Sequence, residues 1–347
     1  MPIEDLSARL SAPGLTATST PVSFIVLLDP PHVADLLYGP NLKALTATGA
    51  RALSMAPFTT LESEEARKAL AAADVLITGW GAPRLTAEQI NAAPRLRYVL
   101  HAGGQAAHFL PPLAGRDIAL SNAGWINAIP VAEFTVAMII LANKQAFRAR
   151  ALYSARRDFV NREIEFSAAG NRDKVIGIVG ASRIGRIVME RLGDLDVSIK
   201  LFDPYIAPAE AARLGAERVS LDELMATSDV VSLHPPLTAE TDGMITARHL
   251  ALMRDGAMLI NTARGRIVDQ DALVAELTCG RIDAILDVTD PEVLPADHPL
   301  YTLPNVFLTP HISGSMGSEI ARMGEHVASE LDRVMRGKPL AFPEAVL

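Results

Sequence analysis

The feature of this sequence that most constrains its fold is a glycine-containing turn near the middle of the chain. The run Lys174–Val179 has the length and composition of a buried strand, and it leads directly into Gly180-Ala-Ser-Arg-Ile-Gly185. Apolar side chains recur after this turn at helical spacing. A strand that turns on glycine and continues as a helix presents the free N–H groups of the helix N-terminus at the turn. Such an arrangement can hold the pyrophosphate of a dinucleotide.

Two residues refine this interpretation. Asp203 closes the next strand-like run, eighteen residues after Gly185. A carboxylate there can accept hydrogen bonds from the adenosine ribose and would repel a 2′-phosphate, so it favours NAD over NADP. Ser182 stands at the middle glycine position of the usual G-x-G-x-x-G pattern, where a Cβ narrows the approach to phosphate. Because serine is small and its hydroxyl can donate to a phosphate oxygen, we expect it to be a tolerated variant.

Composition narrows the class of protein. A chain of 347 residues predicts two domains, and a net charge of −8 argues against nucleic acid or an anionic membrane as the main partner. The single cysteine, Cys279, excludes an intramolecular disulfide, and the scattered histidines predict no metal site. No signal peptide is visible, and the apolar run Phe134–Ala142 is too short to cross a bilayer. We therefore expect a cytoplasmic protein.

Strand-like and helical segments alternate in two series, which predicts two doubly wound parallel sheets with helices on both faces. A long apolar helix near 130–150 leads into the second series, and a last helix near 318–336 is expected to return to the first domain. The predicted strands lie near 23–28, 74–78, 96–100, 174–179, 198–203, 229–233, 257–261, 283–288 and 305–309. The predicted domains are a loose N-terminal extension at 1–22, a substrate domain at 23–121 with 315–347, and a dinucleotide-binding domain at 122–314.

Three further motifs each follow a predicted strand of the second series: Asn261-Thr-Ala-Arg-Gly265, Asp287-Val-Thr-Asp-Pro-Glu292 and Thr309-Pro-His311. Residues just beyond the carboxyl ends of parallel strands converge on the ligand crevice. The three residue types suit the reduction of a 2-oxo acid. Arg264 can bind and polarise the substrate through its planar guanidinium, and His311 can exchange a proton with the carbonyl oxygen. Glu292, hydrogen-bonded to His311, would tune the imidazole and fix its tautomer.

These motifs, together with His234-Pro-Pro-Leu-Thr-Ala-Glu-Thr241 and Leu308-Thr-Pro-His311, resemble those of the D-isomer-specific 2-hydroxyacid dehydrogenases. The resemblance covers nearly the whole chain after residue 20. It implies a flavodoxin-like substrate domain, a Rossmann-like cofactor domain, and an active site in the cleft between them. It also implies NAD as the cofactor, a small 2-oxo or 2-hydroxy acid as the substrate, and a homodimer formed through the cofactor domains.

The resemblance assigns roles to individual residues. Arg264, Glu292 and His311 take the catalytic places, and Gly103 and Gly104 would join Arg264 in binding the substrate. Thr289 and Val293 depart from the family pattern, in which an aromatic residue and a proline are common at these places. The cofactor-binding positions are Gly180, Ser182, Arg183, Ile184, Gly185, Asp203, His234, Pro235, Thr262, Ala263 and Asp287.

Two alternatives stay open at this point. The same fold serves dinucleotide-sensing corepressors, which bind a partner rather than catalyse a reaction. The intact trio argues against that reading, because a sensor has no need of the three residues together. The second alternative keeps the enzyme but makes its substrate a phosphorylated hydroxy acid.

Overall fold

A computed structural model describes residues 21–104, 113 and 116–344 of the chain. Its internal contacts group the chain into two units. The first unit comprises the residues up to 127 together with those from 315, and the second comprises residues 128–314. The sequence predicts the second boundary at the same place and the first boundary six residues earlier, at 121/122. The predicted extension at 1–22 lies outside the described residues, except for its last two.

The secondary structure follows the predicted alternation. The strands are β1 Ser23–Leu27, β2 Arg51–Ala52, β3 Val75–Gly79, β4 Tyr98–Ala102, β5 Ala119–Asn122, β6 Lys174–Val179, β7 Val197–Phe202, β8 Ala216–Arg218, β9 Val230–Leu233, β10 Met258–Asn261, β11 Asp283–Leu286, β12 Val306–Leu308 and β13 Pro343–Glu344. The helices are α1 Val33–Tyr38, α2 Lys43–Thr46, α3 Glu64–Ala72, α4 Ala87–Asn91, α5 Gly124–Asn143, α6 Ala146–Arg156, α7 Arg162–Glu165, α8 Arg183–Leu192, α9 Pro208–Arg213, α10 Leu221–Thr227, α11 Ala247–Leu252, α12 Gln270–Thr278 and α13 Ile320–Met335.

The first unit contains a six-stranded sheet in the order β13-β5-β4-β3-β1-β2. Strands β1 to β5 are parallel, and their order is that of the flavodoxin-like fold. The edge strand β13 runs antiparallel to β5, which the sequence did not predict. Strands β2 and β13 have two residues each, and only two of the four residues of β5 are apolar, so their sequence signals are weak.

Helix α13 belongs to the first unit. Its residues Met323, Val327 and Leu331 are buried at a spacing of four and pack in the same core as β1, β3 and β4. A Cβ on Gly324 would lie only 1.7 Å from the carbonyl oxygen of Leu37, so the backbones of α13 and α1 are in direct contact. The last helix therefore returns to the first sheet.

The second unit contains a seven-stranded parallel sheet in the order β12-β11-β10-β9-β6-β7-β8. Numbered within the unit, its first six strands have the Rossmann order 3-2-1-4-5-6, and the seventh is added beside the sixth. The central strands are almost wholly apolar because helices cover both faces of the sheet. The predicted pair of doubly wound sheets is thus confirmed.

The long apolar helix differs from its prediction near 130–150. Helix α5 spans Gly124–Asn143 and ends before Gln145, whose left-handed backbone (φ 49°) separates it from α6. Its 20 residues make it long and apolar enough to cross a membrane, by length and composition only. The run Phe134–Ala142, considered in the sequence analysis, is too short to do so. However, Ala132 and Ile139 are buried in the core of the second unit, and the Thr135 hydroxyl lies 3.1 Å from that of Thr262. These contacts show that the part of α5 within the second unit, residues 128–143, is a core helix.

Candidate active site

The predicted site residues of the second unit follow the carboxyl ends of consecutive strands in its sheet. Because the strands are parallel, these ends share one edge. Along that edge from β12 to β7 come His311, the segment 287–292, the segment 262–264, His234, Gly180 and Asp203. The catalytic and the cofactor-binding predictions therefore fall on one continuous edge.

Two glycines of the turn occupy places that only glycine fits. Gly180 has φ +95°, and a Cβ there would lie 2.9 Å from the backbone nitrogen of Pro235. A Cβ on Gly185 would lie 2.2 Å from the carbonyl oxygen of Gly180, so helix α8 begins directly against the turn. Hydrogen bonds from Gly180 N–H to Phe202 (2.8 Å) and from His234 N–H to Val179 (2.8 Å) hold the turn on both sides. A close backbone cradle at a helix N-terminus fits a pyrophosphate.

Ser182 is the N-cap of helix α8. Its backbone is extended (φ −66°, ψ 178°), a conformation that does not need glycine, and its Oγ accepts a hydrogen bond from the Gly185 N–H at 3.3 Å. A hydroxyl has one donor in addition to its acceptor sites, so its proton stays available for a phosphate oxygen. The middle position of the turn is thus compatible with serine for a structural reason. Arg183 and Ile184, the first two helical residues, are half-buried.

Asp203 ties the end of β7 to the glycine turn. Its Oδ2 accepts from the Ala181 N–H at 2.8 Å, and its Oδ1 accepts from the Tyr205 N–H at 2.8 Å. An ionised carboxylate has about four lone-pair sites. Capacity therefore remains for the ribose hydroxyls that the sequence predicts as its partners.

The His234 side chain is enclosed, with an exposure of 3%. One ring nitrogen, Nε2, lies 2.9 Å from the Ser232 hydroxyl, and burial lowers the pKa of the imidazole to about 3. The ring is therefore neutral and supports the turn from inside. The predicted contact of His234 with the cofactor stays a prediction. Pro235, Thr262 and Ala263 are also buried.

His311 and Glu292 form a hydrogen-bonded pair at the ends of β12 and β11. The Nδ1 atom of His311 lies 2.6 Å from Oε1 of Glu292, and both side chains are partly exposed. Because a carboxylate only accepts, Nδ1 carries the proton of this hydrogen bond. The pairing leaves Nε2 free to exchange a proton with a substrate.

A buried aspartate positions the histidine loop. The Oδ1 of Asp287 accepts from the Thr309 hydroxyl (2.7 Å) and the Ile312 N–H (2.8 Å), and Oδ2 accepts from the Ser313 N–H (2.8 Å). The His311 N–H donates to the Asp287 carbonyl oxygen at 3.0 Å, and His311 itself has a left-handed backbone (φ 56°). Sequence reasoning missed this role, since the partners are 22 to 26 residues away. The predicted contact of Asp287 with the cofactor carboxamide stays a prediction.

The Arg264 loop is set by two neighbours. Asn261 accepts from the Ala263 N–H at 3.0 Å and donates to the Arg264 carbonyl oxygen at 2.8 Å. A Cβ on Gly265 would lie 2.2 Å from the carbonyl carbon of Thr289, so this loop is in contact with the segment that leads to Glu292. The Arg264 side chain is exposed, and its Nη1 donates a hydrogen bond to the Ala263 carbonyl oxygen at 2.6 Å. Its other guanidinium donors can bind a substrate.

Gly103 and Gly104 follow β4 in the first unit. A Cβ on Gly103 would lie 2.4 Å from Nε2 of His101, whose ring is buried with Nδ1 2.9 Å from the Thr78 hydroxyl. A side chain at position 103 would therefore require the His101 ring to move. The binding of the substrate carboxylate by these two residues stays a prediction. Within the parts of the chain that the structure describes, no group of three or more His, Cys, Asp or Glu side chains could hold a metal ion.

Comparison with known proteins decides the family. Residues 136–313, which carry the glycine turn, Asp203 and the trio, match the model of the D-isomer specific 2-hydroxyacid dehydrogenase, NAD binding domain. The chain belongs to the D-isomer-specific 2-hydroxyacid dehydrogenase family. Its second unit is the NAD-binding domain of that family, in agreement with the resemblance found in the sequence.

Named relatives lie in several branches of the family. The chain is 35% identical over 276 residues to D-3-phosphoglycerate dehydrogenase of Mycobacterium tuberculosis, covering 79% of this chain and 51% of the relative. It therefore spans about half the length of these curated relatives. It is 35% identical over 259 residues to glyoxylate reductase of Thermofilum pendens, covering 74% and 76%. Among solved structures, D-mandelate dehydrogenase of Rhodotorula graminis superposes with a TM-score of 0.77 at 26% identity, covering 94% and 98%.

Proposed function

We propose that this family member is an NAD-dependent dehydrogenase that interconverts a small D-2-hydroxy acid and the corresponding 2-oxo acid. The observation that carries the proposal is the hydrogen bond between His311 and Glu292 on the sheet edge that also bears the glycine turn. An oriented imidazole is the acid–base group that carbonyl reduction requires. Family membership supplies the cofactor that such a reduction needs.

The proposed chemistry divides among three side chains. When bound, the reduced nicotinamide supplies the hydride. Arg264 would bind the substrate carboxylate or carbonyl through its guanidinium and polarise it. His311, protonated at both nitrogens, gives the Nε2 proton to the carbonyl oxygen, and Glu292 keeps the Nδ1 proton in place throughout. In the oxidation direction His311 takes the proton back from the hydroxyl group.

The residues of the turn would hold the cofactor. The N-terminus of α8 with Ser182 fits the pyrophosphate, and Asp203 fits the ribose hydroxyls. The carboxylate of Asp203 supports a preference for NAD over NADP, since it would repel a 2′-phosphate.

The corepressor alternative is not favoured, because the comparisons name dehydrogenases and reductases and the trio is intact. A phosphorylated hydroxy acid remains the second candidate for the substrate, because several relatives are named D-3-phosphoglycerate dehydrogenase. The deciding test measures NADH oxidation with a panel of 2-oxo acids that includes glyoxylate, pyruvate, hydroxypyruvate and a phosphorylated 2-oxo acid. NADPH is run in parallel. NADH binding without turnover on any 2-oxo acid would contradict the enzyme proposal and favour the sensor.

We also propose a homodimer formed through the second unit. Its segment 141–164 exposes large apolar side chains, with Tyr153 at 65%, Phe159 at 82% and Ile164 at 73%. Apolar surface of this kind marks interaction sites. Phe159→Glu should shift the mass measured by light scattering to that of a monomer, whereas Leu36→Glu, an exposed apolar position in the first unit, should not.

A location in the cytoplasm, without nucleic acid or membrane as partner, remains part of this proposal.

A further inference from the structure

Tyr205 connects two carboxylates at the adenosine end of the predicted cofactor site. Its backbone N–H donates to Oδ1 of Asp203 at 2.8 Å, and its phenol hydroxyl donates to Oε2 of Glu240 at 3.1 Å. Tyr205 therefore links the two acidic groups, one through its backbone and the other through its phenol. Both carboxylates raise the pKa of the Tyr205 phenol, Glu240 more strongly, through its hydrogen bond and its charge.

The sheet order shows where this bridge lies. Strand β6, which ends in the glycine turn, stands between β9 and β7. Tyr205 lies in the loop after β7, and Glu240 lies in the loop after β9. The hydrogen bond consequently joins the loops on either side of the glycine turn. A ligand bound at the turn with its ribose on Asp203 is placed next to both loops.

We propose that Glu240, held in place by Tyr205, is a second specificity-determining carboxylate that disfavours a cofactor with a 2′-phosphate. The assignment rests on the proposed NAD-dependent function. Asp203 meets the ribose hydroxyls directly, whereas Glu240 acts through its charge at a longer distance. Pro204 and Tyr205, the next two residues after Asp203, carry no positive charge that could pair with a phosphate.

The size of the effect follows from screening. At physiological ionic strength the interaction between exposed charges is largely screened beyond about 8 Å, so the expected effect is small. Glu240 is exposed, so its contribution is that of a surface charge. We expect its charge to raise the Kd of NADPH roughly threefold. The Kd of NADH, which lacks the 2′-phosphate, should change by less than about twofold.

The experiment measures the Kd of NADH and of NADPH by fluorescence titration for the wild-type protein and three variants. Glu240→Gln removes the charge but retains an oxygen that can accept from Tyr205. Tyr205→Phe removes the hydrogen bond that holds Glu240. Glu190→Gln is the matched control, since it removes one exposed negative charge near the far end of α8.

Glu240→Gln should tighten NADPH binding and leave NADH binding nearly constant, and the gain should disappear at about 1 M salt, where charges interact over about 3 Å. Tyr205→Phe should give a smaller gain in the same direction. An unchanged ratio of the two Kd values in Glu240→Gln, or an equal gain in Glu190→Gln, would overturn the assignment while leaving the proposed function intact. Failure of the wild-type protein to bind either nucleotide would overturn both.

Discussion

Nδ1 of His311 lies 2.6 Å from Oε1 of Glu292, although the two residues follow different strands. The contact orients the imidazole, because the carboxylate accepts from Nδ1–H and leaves Nε2 for the substrate. The loop that carries His311 is in turn held by the buried carboxylate of Asp287. The proposed acid–base group is thus positioned by two acidic residues with separate tasks.

Removal of the imidazole should abolish the chemistry and spare the cofactor site. We expect His311→Ala to lower kcat for 2-oxo acid reduction by about 10²- to 10⁴-fold, the usual contribution of a positioned acid–base group. The Kd for NADH should stay constant. Glu292→Gln, whose amide oxygen can still accept from Nδ1–H, should lower kcat less than His311→Ala does. Unchanged turnover of His311→Ala in stopped-flow measurements would refute the assignment.

Asp287→Asn should loosen the histidine loop. The amide replaces an acceptor oxygen by a donor that faces the N–H groups of the loop, so we expect the free energy of unfolding to fall by roughly 1–3 kcal/mol. The value of kcat should fall with it. Urea denaturation and steady-state kinetics test both effects, with Asp290→Asn as an exposed control on the same segment. Equal stability of the two variants would show that the three hydrogen bonds do not hold the loop.

Arg264 should matter for both binding and rate. Arg264→Ala is expected to raise KM for the 2-oxo acid and lower kcat together, because the interaction strengthens as charge develops on the substrate. Arg264→Lys keeps the charge but loses the planar guanidinium, so its KM and kcat should lie between those of Arg264→Ala and the wild type. The matched control is Arg266→Lys, two residues away and paired with Asp242. A change confined to thermal stability would mean that Arg264 has only a structural role.

Ser182 distinguishes a helix cap from a phosphate ligand. Loss of an N-cap side chain costs about 0.5–2 kcal/mol when alanine replaces it and only a few tenths when glycine does. Ser182→Ala should therefore lower the Tm without cofactor more than Ser182→Gly. We expect Ser182→Gly to keep or tighten NADH binding. A large loss of NADH affinity in both variants would show instead that the hydroxyl holds the phosphate.

Burial of His234 should make stability depend on pH. Its pKa is about 3 in the folded protein against an ordinary value of 6.5, so between these pH values the unfolded chain binds more protons. Stability is therefore lost as the pH falls through this window, by up to about 1.4 kcal/mol per pH unit. Urea denaturation between about pH 7 and about pH 5 should show a weaker pH dependence in His234→Gln than in the wild type. The same pH dependence in His234→Gln and in the wild type would contradict this prediction. The control is His32→Gln, which removes an exposed histidine and should keep the wild-type pH dependence.

Several parts of the fold and site could be predicted because their signals are local. Strand, glycine turn and helix follow one another between Lys174 and Leu192, and Asp203 follows its strand directly. The motifs proposed to be catalytic each stand just after an apolar strand, and parallel strands bring such positions to one edge whatever the details of packing. The short strands β5 and β13 were missed because pairing with neighbours, rather than composition, makes them strands.

The sequence by itself determined the two parallel sheets and the dinucleotide turn, since each depends on residues close together in the chain. It also predicted Arg264, Glu292 and His311 as one site, because each follows a strand and parallel strands end at the same edge of the sheet. Only the tertiary structure decided what the individual polar side chains do. The three hydrogen bonds of Asp287 and the bridge from Tyr205 to Glu240 join residues on different loops or strands. His234 likewise lies beside the glycine turn of another strand, with its N–H bonded to Val179. Such contacts depend on strand order and on loop conformation, and no local pattern of residues encodes them.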